Sequence, residues 1–400
     1  MPRFVPEGVS EGSLATNLDS FLLSLDDAVF VRASEAAEVD PTNGFGFYGD
    51  WAAVNVLRVV RSGTVFIEPT RTNIIVESED LSTWTVSGSP TLVGGNLAPD
   101  GELDAYTIED SSMVTFEAIT RAVTVANGVQ LCGSVYILQD DVTTRFPAYG
   151  LIATTVGRLY LNTEDGDVVG SGASLDFDPA VGDGAWWSFR GRYTTAGTAL
   201  TAVIHPAIGV VIGVNSVTAV GTIRCWGVQV EEDAPFSTSY IRTSGAAATR
   251  AKDDLRFPAG WGAGTSLLDG AFKFRWTPIF NSSDDVTPGR VYSLLGIDGT
   301  NLLRVRFTGA TWDVEFGNSA GTSSLTLSGL SSAWSILDEL EFTIDHVTGS
   351  VSVSINGGPP QSNTGAAAGG SWSNATSLFY GQDQLANNQC AGLITLPEAA

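Results

Sequence analysis

Three acids in the stretch ELEFTID, Glu339, Glu341 and Asp345, are the first residues whose types and spacing could do chemistry. Two carboxylates flanking a glycosidic bond can hydrolyse it, one as acid and one as base or nucleophile. The strand-borne pattern for that work is E-x-D-x-x-E or E-x-D-x-E. Here Glu341 stands where the Asp belongs, and Thr343 or Ile344 stands where the third acid belongs. A solvated strand face explains the same residues, so no catalytic residue is assigned. Nucleophilic catalysis of the Ser-His-Asp kind needs a histidine. The chain has two, His205 before Pro206 and His346 in a hairpin turn. We expect a protein that is not an enzyme.

Oxygen ligands cluster twice in glycine-containing loops. Asp100, Glu102 and Asp104 lie in PDGELD, and Asp165 and Asp167 lie in NTEDGD. Ca²⁺ takes carboxylate and carbonyl oxygens of this kind, although neither loop has EF-hand spacing and acidic turns are common in so anionic a chain. Ca²⁺ is the one cofactor these residues suggest. Sugar binding would use exposed aromatic faces with polar neighbours. Trp186 and Trp187 are adjacent, so on a strand they face opposite sides, and Trp334 and Trp372 lie near Ser/Gly-rich loops. Core packing is the competing account of each.

These residues must be positioned by strands. The chain has 400 residues with 45 Gly, 10 Trp and only 16% charged side chains, enough for two cores of an all-β protein. Its formal charge of −24 opposes binding to phosphate backbones, so nucleic acid is excluded as a partner. The apolar stretch 205–220 is too short and broken for membrane insertion. Cys132, Cys225 and Cys390 match neither a disulfide framework nor a zinc site. The N-terminus lacks an apolar signal core, which points to synthesis in a cytoplasm without an obvious export route.

Short strands at turn-separated intervals run through residues 70–250: NIIVES, AYTIED, QLCGSVYIL, RLYLNT, WWSFRGRYTT, ALTAVIH and IRCWGVQVE. In LLRVRFTGATWDVEF, a hairpin closing at 308–311 sets Phe307 opposite Trp312, Val305 opposite Val314 and Leu303 opposite Phe316. The other face then brings Arg306 to Asp313 and Arg304 to Glu315, so both faces agree on one register. ELEFTIDHVTGSVSVSINGG repeats the logic with Leu340, Phe342 and Ile344 inward, and Phe272, Phe274 and Trp276 alternate likewise. The expected fold is therefore two antiparallel β-sandwich, jelly-roll domains. One helix precedes them, with Leu14, Leu18, Phe21, Leu22 and Leu25 on its apolar stripe. GFGFYG at 44–49 matches G-x-G-x-x-G but has neither the strand before it nor the helix after it, and reads as a loop.

VFVRASEAAEVD, IEPTRTNIIVESEDLSTWT, APDGELDAYTI and VQVEEDAPFSTSYIRTSGAAATR, taken in order over residues 29–250, resemble a cassette of bacteriophage tail-fibre, head-fibre and minor structural proteins. The resemblance implies three regions. These are a 1–69 attachment and oligomerisation region, a 70–250 carbohydrate-binding-like jelly roll, and a 255–400 laminin-G or concanavalin-A-like sandwich. It further implies a virion-surface location after assembly in the host cytoplasm, contacts with other virion proteins through the N-terminal region, and a homotrimer. Host-surface polysaccharide would be the ligand, and a glycan depolymerase is the alternative function. Within this reading Arg71 and Asn73 are joint residues, satisfying backbone groups beside the returning segment that contains Tyr240, with Glu68 or Glu79 as a partner for Arg71.

Overall fold

Successive side chains on a strand point to opposite faces, so alternating apolar and polar residues fix which face is buried. Leu302–Phe307 pairs antiparallel with Trp312–Asn318, and Leu303, Val305 and Phe307 stand across from Phe316, Val314 and Trp312. Arg304 stands across from Glu315 and Arg306 across from Asp313. The charges pair differently from the backbone: Arg304 and Arg306 both bond Glu315, while Asp313 accepts from the Thr326 hydroxyl. The second hairpin joins Leu340–Asp345 to Ser350–Ile355, with Leu340, Phe342 and Ile344 facing Ile355, Val353 and Val351. It turns at Gly349, whose φ is +66° and where a Cβ would lie 2.3 Å from the Ala368 nitrogen. Only glycine fits that position without strain.

The computed structural model describes residues 64–152, 156–171, 175–177, 181–183, 185–195, 197–257, 270–278, 280–284, 290–298, 300–327, 333–335, 338–372, 378–380, 392–395 and 398–399, with strand segments at 29–31, 36–37, 51–52 and 59–60. Among them the fold is all-β. Two antiparallel sandwiches are present, and the sole helical element is a three-residue 3-10 turn at Leu81–Thr83. The expected helix with Leu14, Leu18, Phe21, Leu22 and Leu25, and the GFGFYG segment, lie outside the described residues.

The first sandwich has a nine-stranded sheet built on Trp186–Thr194, Gln130–Leu138 and Gly221–Glu232. Facing it is a six-stranded sheet built on Val156–Leu161, Phe146–Ile152, Ala199–Gly209 and Ala118–Thr124. Leu131, Val135, Ile137, Phe189 and Val230 from one sheet meet Ile119, Tyr149, Leu151, Leu159 and Ile204 from the other in a single buried cluster. Each such side chain contributes about 1.5–3 kcal/mol on leaving water. The second sandwich buries Phe272, Phe274, Trp276, Phe342 and Ile344 against Leu295, Leu303, Val305, Trp312 and Phe316.

The sheets do not divide at residue 69. Val59–Val60 and Thr64–Ile67 join the second sandwich, where Phe66 lies across from Leu393 and Val65 across from Ile394. Val29–Val31 pairs with Asp254–Phe257 in its other sheet. Strands from before the first sandwich thus close the second, and the first is an insertion between them. The lobes also meet through side chains: Arg192 Nη2 is 3.1 Å from Asp284 Oδ1, and Phe236 stacks on Phe280 at 4.5 Å.

Candidate functional site

Where the chain leaves the second sandwich at Ile67 and enters the first, its polar residues fold back on the chain's own backbone. The expected strand NIIVES is instead Arg71–Asn73, pairing with Ala248–Arg250, and bends follow it. The reason is Asn73, which is buried. Its amide donates to the Val228 and Ile241 carbonyls, and its oxygen accepts from the Ile75 and Val230 amides. One side chain therefore replaces the ladder bonds a longer strand would make. Tyr240 Oη meets Ser78 Oγ beneath it, both buried.

Glu68 anchors the other half of the joint. Its carboxylate accepts from Ser239 N at 2.7 Å, Ser239 Oγ at 2.6 Å and Arg250 Nη1 at 2.8 Å. Arg250 also donates to the Pro69 carbonyl. Arg71 pairs with neither acid expected for it, because Glu68 is engaged by Arg250 and Glu79 by Arg242. The Arg71 guanidinium lies 5.5 Å over the Phe236 ring instead. Burial raises the Glu231 carboxyl, an effect opposed by Arg71 and by two bonds from Thr238. Arg250, Arg242, Ser239 and Thr238 had no assigned role in the sequence reading. Their signal is that TSYIRTSGAAATR, the closing motif of the cassette, itself contains Arg242 and Arg250.

A second cluster forms where Arg242 leaves that segment. Glu79, Asp100 and Asp104 bring one carboxylate oxygen each to within 4.8 Å of one another. Arg242 lies among them, 2.8 Å from Glu79, 2.7 Å from Asp100 and 4.0 Å from Asp104. Burial pushes the Glu79 carboxyl up from its ordinary 4.5 to about 7, with Asp104 and Asp100 adding to the rise and Arg242 opposing it. Burial and Asp100 also raise Asp104. Glu102 is exposed and contributes only its backbone amide to Asp100. Ca²⁺ needs six to eight oxygens, whereas this cluster offers three carboxylates around a guanidinium that already bonds two. With Arg242 in place the residues do not fit a resident Ca²⁺. Asp165 and Asp167 are exposed, and Asp165 caps the Asp167 amide in a solvated turn.

The tryptophans named for sugar stacking divide three to one. Trp186, Trp334 and Trp372 are buried, a correction to their exposed reading. Trp334 packs on Trp312 at 4.8 Å and donates to the Phe280 carbonyl. Trp372 packs against Phe272, Phe316 and His346 and donates to the Gly317 carbonyl. Trp186 joins Tyr136, Trp226 and Tyr240 in a separate cluster. Large rings with a satisfied N–H are the best core fillers available. Trp187 alone is half-exposed; its indole donates to the Thr163 carbonyl, and its ring covers Gly166, where a Cβ would come within 2.6 Å.

The three acids of ELEFTID are engaged with their neighbours. Glu341 bonds Arg275 at 2.9 Å, and Glu339 is 3.6 Å from the same nitrogen. Asp345 accepts from Val347 N and from the Thr348 hydroxyl, closing the turn. Burial, helped by Arg158, pushes the His205 imidazole down to about 4. His346 is enclosed by Phe272, Phe316 and Trp372 and reaches no solvent. A substrate could touch neither ring.

No family model and no curated protein matches this chain. Among solved structures it is similar to the mouse laminin alpha1 chain domains LG4-5 at 12% identity, covering 78% of this chain and 90% of that one, with a TM-score of 0.23. It is also similar to the full extracellular region of zebrafish Gpr126/Adgrg6 at 10% identity, covering 74% of this chain and 35% of that one, with a TM-score of 0.24. Likeness at that level carries no argument about this chain.

Proposed function

We propose that this chain is a bacteriophage virion structural protein, displayed on the particle as a fibre, spike or capsid decoration. It holds a shape and adheres weakly to host-surface glycans. The observation that carries the reading is the joint. Glu68, Asn73, Thr238, Tyr240 and Arg250, all from the cassette that resembles virion proteins, are buried and bonded to the chain itself. Residues committed in that way maintain geometry and are not free to act on a substrate. The N-terminal region attaches the protein to its neighbours in the particle. Many copies on one particle raise the effective concentration of each glycan contact, so a weak single site suffices.

Gold-labelled antibody against the chain, applied to purified phage particles, tests the reading. Labelling at a fixed position on the particle is expected; purified particles that lack the protein would end the proposal. A glycan array run with Trp187→Ala separates adhesion from display, because that ring is the half-exposed one among the four candidates. Release of reducing ends from capsular polysaccharide, lost in Glu339→Gln, would establish a depolymerase instead.

A further inference from the structure

We propose that the end of the first sandwich remote from the second is a self-association surface that binds a second copy of this chain. The inference stands whether or not the protein belongs to a virion.

Strand register locates that end. Gln130 and Arg192 lie at the joint with the second sandwich, through Asp284. Gln130–Leu138 runs away from the joint and pairs Leu138 with Trp186 and Ile137 with Cys225. Beyond Cys225, Gly221 pairs with Asp110, and Phe146 pairs with Gly209. The loops 111–117 and 210–220, both crossing from sheet to sheet, therefore lie together at the far end. Phe116 from one and Ile212 from the other pack on the same buried patch of Ala148, Tyr160 and Ile208.

Both loops turn apolar side chains outward. Met113 and Val114 are 62% and 80% exposed, and Val211 and Val214 are 57% and 56% exposed. Val210, Val217 and Val220 are exposed as well. The loops are fixed, so these side chains are presented rather than loosely displayed. Asp110 accepts from the Ser112 and Glu117 amides, and Ser112 Oγ accepts from Val114 N and Thr115 N. In the other loop Val214 N bonds Val211 O, and Ser216 N bonds Ile208 O. Exposed apolar side chains gathered on two loops that share one packing patch mark an interaction site.

Charge selects the occupant. Residues 111–116 and 210–220 contain no charged side chain, in a chain of net charge −24. Two copies of a polyanion repel wherever their charged faces meet, over a screening length of about 8 Å at physiological salt. An uncharged apolar face is complementary to itself, which is what a two-fold contact between identical surfaces requires. A lipid surface is disfavoured because neither loop carries the Lys, Arg, Trp or Tyr with which apolar loops anchor at a bilayer. A glycan is disfavoured because the one aromatic ring of these loops, Phe116, is packed on the Ala148, Tyr160 and Ile208 patch instead of presenting a free face.

Sedimentation velocity of the full chain over a concentration series tests the proposal, using wild type, Val211→Asp and Val114→Asp. The two variants lie on different loops, and at exposed positions each keeps the wild-type melting temperature. Wild type should associate, more tightly as salt is raised, and each variant should weaken association about tenfold or more. A wild type that stays monomeric overturns the proposal, and co-sedimentation of that monomer with phosphatidylcholine vesicles would assign the face to lipid. Association left unchanged by both variants also overturns it, placing the contact elsewhere.

Discussion

Glu68 and Arg250 form an ion pair at 2.8 Å although 182 positions separate them, and both side chains are buried. Glu68 directly follows the strand Thr64–Ile67 of the second sandwich, and Arg250 ends the last strand of the first. The pair therefore clamps both crossings between lobes at one point. Removing one partner of a buried pair leaves an uncompensated charge, at a cost of about 3–5 kcal/mol. Glu68→Ala should lose stability on that scale in urea unfolding. The double variant Glu68→Leu, Arg250→Met should recover most of it; a loss equal to the sum of both single variants would mean that the two residues act independently.

Asn73 answers to a different accounting. Its amide satisfies four buried backbone groups on three segments. Asn73→Ala strands all four, and a lost buried partner costs about 1–3 kcal/mol. Destabilisation above about 3 kcal/mol is expected. Asn73→Asp keeps the acceptors but loses both donors, and should be no better than alanine. A near-neutral alanine variant would show that other groups or water replace the amide.

The Glu79 carboxyl gives stability a pH dependence. An acid whose folded-state pKa lies above its unfolded value binds more protons when folded across the interval between them, so stability falls as pH rises through it. For Glu79 the interval runs from 4.5 to about 7. Glu79→Gln cannot ionise, so its stability relative to wild type should improve over that interval and level off above it. Unfolding both proteins at a series of pH values reads the difference directly; a flat difference would place the carboxyl in its ordinary range.

Arg242 predicts the response to calcium. Because its guanidinium bonds Glu79 and Asp100, added Ca²⁺ should leave the melting temperature of wild type unchanged. Arg242→Gln frees the three carboxylates and should introduce a Ca²⁺-dependent rise. A rise already present in wild type and lost in Asp100→Ala would restore the metal reading.

Trp334 lies between Trp276, Trp312 and Phe280, so its role is measured by stability. Truncating a core tryptophan costs about 3–5 kcal/mol. Trp334→Ala should destabilise the second sandwich by that amount, as monitored by denaturant unfolding. A stable Trp334→Ala variant that lost glycan binding would return this ring to the surface.

What the sequence settled by itself is local. The register Phe307 to Trp312 and the inward set Leu340, Phe342 and Ile344 follow from alternation on strands joined by short turns, since a slip of one residue would turn every apolar side chain outward. The strands QLCGSVYIL and AYTIED also keep the bounds expected of them. Only the tertiary structure decided which distant strands share a sheet. Phe66 meets Leu393 because a strand bounded by the inserted lobe needs a neighbour for its backbone groups, and no period in the sequence encodes a partner more than three hundred residues away. Nor could alternation reveal that Trp186, Trp334 and Trp372 would be buried, or that Arg250 rather than Arg71 would hold Glu68. A strand pattern assigns a side chain to a face, whereas what covers that face depends on how the lobes and loops pack.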